Sequence, residues 1–180
     1  MEGYRRASWY AETGLRWVPP SPNLRSVEQT ALYPGVALVE GANVSVGRGT
    51  DAPFEQVGAP WLDGAKLAAR LARRGIAGVR FTPTDFVPDA APYRGRRCRG
   101  VRIELVDRKA LDAPALGVEL AGALHTLHPD RFRLRDTLGM VGARWVVDAL
   151  AAGGDPRAIT RRWEPALAAF RERRAAYLLY

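Results

Sequence analysis

The sequence predicts an α/β or α+β domain, with a mixed sheet largely covered by helices. Three observations lead there. Strand-like apolar or alternating runs are confined to roughly the first two thirds of the chain, capped helical segments lie between them, and the last third is helical alone. A chain of 180 residues, 47% hydrophobic and 26% charged, is long enough to bury one good core.

Residues 1–35 read as an extended arm. "WVPPSPN" (17–23) carries three prolines in seven positions, and proline pushes its predecessor toward extended conformations. Tyr4, Trp9, Tyr10 and Trp17 are too many aromatics for a disordered tail, and are expected to form an exposed patch against a partner surface. The domain proper is expected over 36–180. "YPGVALVEG" (33–41) predicts a first strand ending near Glu40, and Thr50 and Pro53 predict a helix start. "WLDGAKLAARLARRG" (61–75) predicts a helix capped by Asp63 and closed by Gly75. "GVRFTPTDFVP" (78–88) predicts a strand broken at Pro83, with Asp85 and Asp89 in turns.

"CRGVRIELVD" (98–107) sets Val101, Ile103 and Leu105 against Arg102 and Glu104, a half-buried strand, with Cys98 as a small buried packing residue. A helix with Pro114 in its first turn follows over 113–129, leaving His125 and His128 solvated at its end. "MVGARWVVDALAAGG" (140–154) is a further helical segment ending at paired glycines. Asp155 and Pro156 open one or two amphipathic helices, with Trp163, Leu167, Phe170 and Tyr177 inward and "FRERR" (170–174) solvated.

Composition narrows the function classes. No run of about 18 apolar residues exists to span a membrane, and "MEGYRRASWYAETG" lacks the apolar core of a secretory signal. One cysteine and two histidines argue against a disulfide, a structural zinc or any other metal cofactor. The net charge of +8 invites nucleic acid. Yet all basic residues but Lys66 and Lys109 are arginines, interleaved with acids rather than clustered, which argues against that partner.

"VEGANVSVGRGTDAPFE" (39–55) is the stretch that carries chemistry. Glu40 and Glu55 are candidate catalytic carboxylates, and Asn43, Ser45 and Thr50 are candidate ligand-binding groups. Glu40 is expected to face a solvent-accessible concavity within reach of Arg48 or Asn43. Arg48 stands between Gly47 and Gly49, free to offer a planar fork to a carboxylate or phosphate. The competing reading is that Glu40 and Arg48 simply pair and tie the loop. "GRGT" lacks the glycine-lysine pair of a phosphate loop.

"WVPPSPN", "YPGVALVEGANVSVGRGTDAPFEQVGAPW", "CRGVRIELVD" and "FRERRAAYLLY", in this order, resemble the C-terminal half of a bacterial family once called a domain of unknown function. That family is linked to exo-β-N-acetylmuramidases of the NamZ type. The resemblance implies release of terminal N-acetylmuramic acid from peptidoglycan fragments, in a cleft shared with a preceding Rossmann-like domain absent from this chain. It implies Glu40 and Glu55 as catalytic groups, Asn23, Asn43, Ser45, Arg48 and Thr50 as substrate contacts, and no cofactor. It also implies a periplasmic or secreted setting if a full-length protein carries a signal. This chain departs from the family pattern at Ala42, where threonine is common, and at Val46, where glutamate is. A non-catalytic muropeptide-binding module is the alternative.

Overall fold

A computed structural model describes residue 3 and residues 5–179. Ten elements recur below: α1 (Val27–Val36), β1 (Gln56–Ala59), α2 (Gly64–Arg73), β2 (Val79–Phe86), β3 (Cys98–Leu105), α3 (Ala113–Leu127), α4 (Leu138–Val141), α5 (Arg144–Ala151), α6 (Pro156–Arg161) and α7 (Glu164–Ala175). Short 3-10 turns stand at Tyr10–Glu12, Ala37–Val39 and Leu134–Thr137. The result is an α+β domain. The expected mixture of strand directions is not found: both pairings of the three-stranded sheet, ordered β1-β3-β2, are antiparallel.

Helix α3 organises the core. Every residue from Leu116 to Leu124 is buried, so this helix is apolar nearly all round and lies inside the molecule. It packs against α1, α2, α5 and α6, while α2 separates it from β2 and β3. The sheet supplies Val57, Val101 and Ile103, and α2 supplies Leu67 and Leu71. At the α1–α3 crossing the backbones nearly touch. A Cβ on Gly35 would lie 2.0 Å from the Ala113 carbonyl oxygen, and one on Gly117 2.4 Å from the Gly35 carbonyl oxygen.

The predicted caps hold. Asp63 and Asp155 accept hydrogen bonds from the amides of Lys66 and Ala158, and Pro114 and Pro156 sit in first turns. Each such cap contributes about 1 kcal/mol. Asp112 caps α3 in the same way.

Other elements differ from expectation. Residues 33–41 are not a strand: Ser26 accepts from the Gln29 amide and starts α1, which runs through Pro34 into the 3-10 turn. Part of the expected arm is therefore helical. No helix begins at Thr50, and the following residues turn into β1. Strand β2 continues through Pro83 and includes Asp85, because it is an edge strand and proline's missing N–H can face away from β3. Residues 138–151 form two helices, α4 and α5, separated at Gly142 in the left-handed conformation. Phe170 and Tyr177 are exposed, as α7 buries no residue among those described.

The arm aromatics pack within the chain rather than forming an exposed patch. Tyr10 meets the Trp17 ring edge-on at 4.9 Å, and the Arg108 guanidinium lies over Trp9 at 5.1 Å. Tyr4 lies outside the described residues. No helix among the described residues is long and apolar enough to cross a membrane.

Candidate functional site

Glu40 ends the Ala37–Val39 turn rather than a strand, its amide bonded to the Ala37 carbonyl. From there the chain leaves the core for residues 41–55. The middle of this loop is stitched to the sheet edge: Ser45 and Gly58 exchange backbone hydrogen bonds of 2.8 and 2.9 Å. Val44 and Val46 are buried on either side. Gly47 and Gly49 have φ of +80° and +74°, and a Cβ on Gly49 would lie 2.4 Å from the Ala90 amide nitrogen. Only glycine satisfies both demands there.

These turns bring Arg48 back onto Glu40. The Arg48 Nε–H donates to Glu40 Oε1, and the guanidinium lies 5.2 Å over the Phe54 ring. Phe54 is buried with φ of +63°, a left-handed conformation costly for a bulky residue. Tyr33 of α1 packs edge-on against the same ring at 4.9 Å. Arg48 is therefore packed on a ring, contrary to the expectation of a side chain left uncrowded by its glycine neighbours.

Glu40 is 18% exposed, and its second oxygen, Oε2, is buried with no hydrogen-bond partner. The Nη nitrogens of Arg48 make no hydrogen bond among the described residues, and its side chain is 38% exposed. The pair thus retains one unused acceptor and an unused pair of donor nitrogens. A buried unpaired oxygen costs about 1–3 kcal/mol, more when charged.

The other expected site residues separate. Glu55 turns to β3, where Arg102 Nη2 donates to its Oε2 at 3.0 Å. Asn43 faces away from Glu40: its Nδ2 donates to the Arg131 carbonyl at 2.8 Å and its Oδ1 accepts from the Arg133 amide at 2.9 Å. That occupies both ends of the amide with backbone. Ser45 is buried, its Oγ accepting from the Gly47 amide. Thr50 donates to the Gly47 carbonyl and accepts from Gln56 Nε2 and the Ala52 amide, so it folds the loop instead of capping a helix. Asn23 lies in a turn, where its amide donates to Ser21 Oγ. Two residues on, Arg25 Nη2 reaches the Thr50 carbonyl at 2.9 Å and ties the arm to the loop.

Five groups around the loop had no signal in the sequence: Arg25, Tyr33, Phe54, Tyr93 and Arg102. Tyr93 donates to the Asn43 carbonyl and accepts from the Trp61 indole, whose ring meets His128 edge-on at 5.3 Å. His125 and His128 are thus half-buried rather than solvated, each with one buried ring nitrogen lacking a partner. Burial pulls the His128 pKa below its ordinary value; Asp63 opposes the fall, and Lys66 and Arg131 add to it. Cys98 is buried as expected, and burial pushes its thiol up to about 11, Arg96 opposing.

Elsewhere, Glu119 of α3 is buried under a bidentate Arg74, at 2.7 and 2.8 Å, and Arg74 also donates to Asp155 at 2.6 Å. This triad bonds α3 to the end of α2 and the start of α6, and each charge in it has an opposite partner.

The model of the C-terminal region of the exo-β-N-acetylmuramidase NamZ matches residues 31–180. The peptidoglycan β-N-acetylmuramidase NamZ of Bacillus subtilis is 33% identical over the whole of this chain, which covers 44% of that protein. Crystal structures of two DUF1343 family proteins from Bacteroides fragilis are similar in fold. One superposes with a TM-score of 0.76 at 25% identity over 99% of this chain and 49% of its own. The other gives 0.71 at 30% identity over 90% of this chain and 43% of its own. The chain thus spans slightly less than half the length of each of these relatives.

Proposed function

This chain belongs to the family of C-terminal regions of the exo-β-N-acetylmuramidase NamZ, and from that premise we propose that it forms one wall of a peptidoglycan hydrolase site releasing terminal N-acetylmuramic acid. The observation that carries this reading is the Glu40–Arg48 pair, with Oε2 unpartnered and the Nη nitrogens unengaged. The Nη pair presents the fork that a lactyl carboxylate would bind bidentately. In this reading Glu40 Oε2, buried as the loop stands, would be uncovered to accept a hydrogen bond from the sugar or to move a proton at the glycosidic oxygen. Glycoside hydrolysis ordinarily uses two carboxyl groups, and Glu55 is the second candidate; a 2-acetamido group acting as internal nucleophile would remove the need for it. The other wall would come from a preceding Rossmann-like domain.

In a full-length family member, glutamine at the position aligned with Glu40 should lower turnover of a chromogenic N-acetylmuramic acid glycoside by about a hundredfold, while losing the pair with Arg48 lowers the melting temperature by no more than about 4 °C. Turnover within a few-fold of the parent would reduce Glu40 to a loop tie. The isolated 180-residue chain should show no turnover and should gain it when the other half is added. A non-catalytic muropeptide-binding module is the second reading, favoured by the arginine already engaging each candidate carboxylate. Saturable muropeptide binding by the chain, with no turnover even after the other half is added, would select it.

A further inference from the structure

A second concavity lies on another face of α1. A groove of about 560 Å³ opens between the N-terminal arm, α1, the start of α3 and the start of α7. Its volume lies within the range of small-molecule sites. Trp9 and Trp163 line it, with Pro34 and Pro114, and Arg108 and Arg171 are also among its residues. The tryptophans come from opposite ends of the chain, and both are half-buried. Trp163 is packed against the core, and Trp9 lies under Arg108, which Glu12 holds at 2.8 Å. Their positions are therefore set before any ligand arrives.

The polar groups of the groove are unevenly engaged. Arg108 is paired with Glu12, and Asp112 Oδ1 is occupied by the Ala115 amide. Neither the Trp9 nor the Trp163 indole N–H has an acceptor, and Arg171 has no carboxylate partner, among the described residues. What remains is apolar aromatic surface with two free N–H donors, the Arg171 guanidinium, and the Asp112 carboxylate, which likewise has no ion-pair partner among the described residues. Indole surfaces suit a body that is apolar on one side and wet on the other, and a free guanidinium suits a carboxylate.

We propose that this groove binds a pyranose bearing a carboxylate, as a saccharide subsite separate from the Glu40 loop. The choice of an amino sugar as probe rests on the function proposed above; the groove's preference for an anionic ring does not. The two sites share one turn of α1: Pro34 faces the groove, and Tyr33 packs on Phe54 beneath Arg48.

The test is an NMR titration of the 180-residue chain, following the five tryptophan indole N–H signals and assigning them with Trp9→Phe and Trp163→Phe. Adding N-acetylmuramic acid should shift the Trp9 and Trp163 signals saturably. N-acetylglucosamine, which lacks the lactyl carboxylate, should bind about tenfold more weakly, as loss of one charge-assisted contact predicts. Arg171→Ala, on an exposed helix surface, should produce the same tenfold loss. Glu40→Gln should leave both shifts intact, so this site and the proposed active site can fail independently. Three results would each overturn the proposal: no shift at either indole, equal affinity for the two sugars, or loss of the shifts in Glu40→Gln.

Discussion

Arg48→Ala is the perturbation that separates a loop tie from a ligand contact. The variant removes a charge-assisted hydrogen bond to Glu40 and the guanidinium over Phe54. Hydrogen bonds to charged groups contribute about 1.5–3 kcal/mol, but Arg48 is 38% exposed, and solvent screening reduces this to about 1 kcal/mol. Stacking on Phe54 adds about 0.5 kcal/mol. The expected loss is about 1.5 kcal/mol, or roughly 3–6 °C in melting temperature for a chain of this size. Urea denaturation of Arg48→Ala, Glu40→Gln and the double variant isolates the pair, and the coupling energy should be about 1 kcal/mol. Coupling below about 0.3 kcal/mol would refute the pairing as a stabilising contact. Arg48→Lys retains an ion pair but loses the planar fork. In a full-length relative it should cost little stability while raising KM for substrates with a lactyl carboxylate more than for N-acetylglucosamine analogues.

Three further outcomes follow from the fold. Arg74→Met should destabilise by about 2–3 kcal/mol, because it leaves the buried Glu119 carboxylate only Arg157, 3.8 Å away, and adding Glu119→Leu should restore most of the loss; urea midpoints decide it. Cys98, with its thiol raised to about 11 by burial, should react with a disulfide reagent at pH 8 only as fast as the chain unfolds, and rapid native-state labelling would contradict its burial. His128 should titrate below its ordinary pKa of 6.5, read from its ring proton shifts. A histidine depressed in the folded state leaves stability intact above pH 6.5, and stability falls as pH drops through that value toward the folded pKa. His128→Asn should flatten this part of the stability profile.

Helix starts were legible where a short polar side chain and a proline announced them, as at Asp63, Asp155 and Pro114. The α1 region reads as a strand because a short buried apolar run looks alike as helix or strand. The decisive signal was Ser26 with Gln29, a box-like pair: Ser26 accepts from the Gln29 amide while the Gln29 side chain accepts from the Arg25 amide. Strand β1, four residues all buried, offers no alternation to detect. Pro83 misled because edge position is a property of the sheet, and Phe170 and Tyr177 because helical periodicity does not say whether a neighbour exists. Within the loop, Glu40 and Arg48 were within guessing distance. Asn43 and Glu55 were not, since their partners lie 88, 90 and 47 residues away.

The α1–α3 crossing bears on how the loop meets a ligand. With Gly35 and Gly117 meeting through backbone atoms, and the Leu38 side chain packed beside Gly117, little room is left for side chains to exchange rotamers and let α1 settle elsewhere. Tyr33 stands on that helix, and Glu40 follows it after one short turn. The carboxylate is thereby indexed to the most deeply buried helix rather than to the exposed sheet edge its loop touches. A surface held this way loses little conformational freedom when it is covered. Its affinity would then be set by fit from the first encounter, and any closing movement would fall to whatever approaches it.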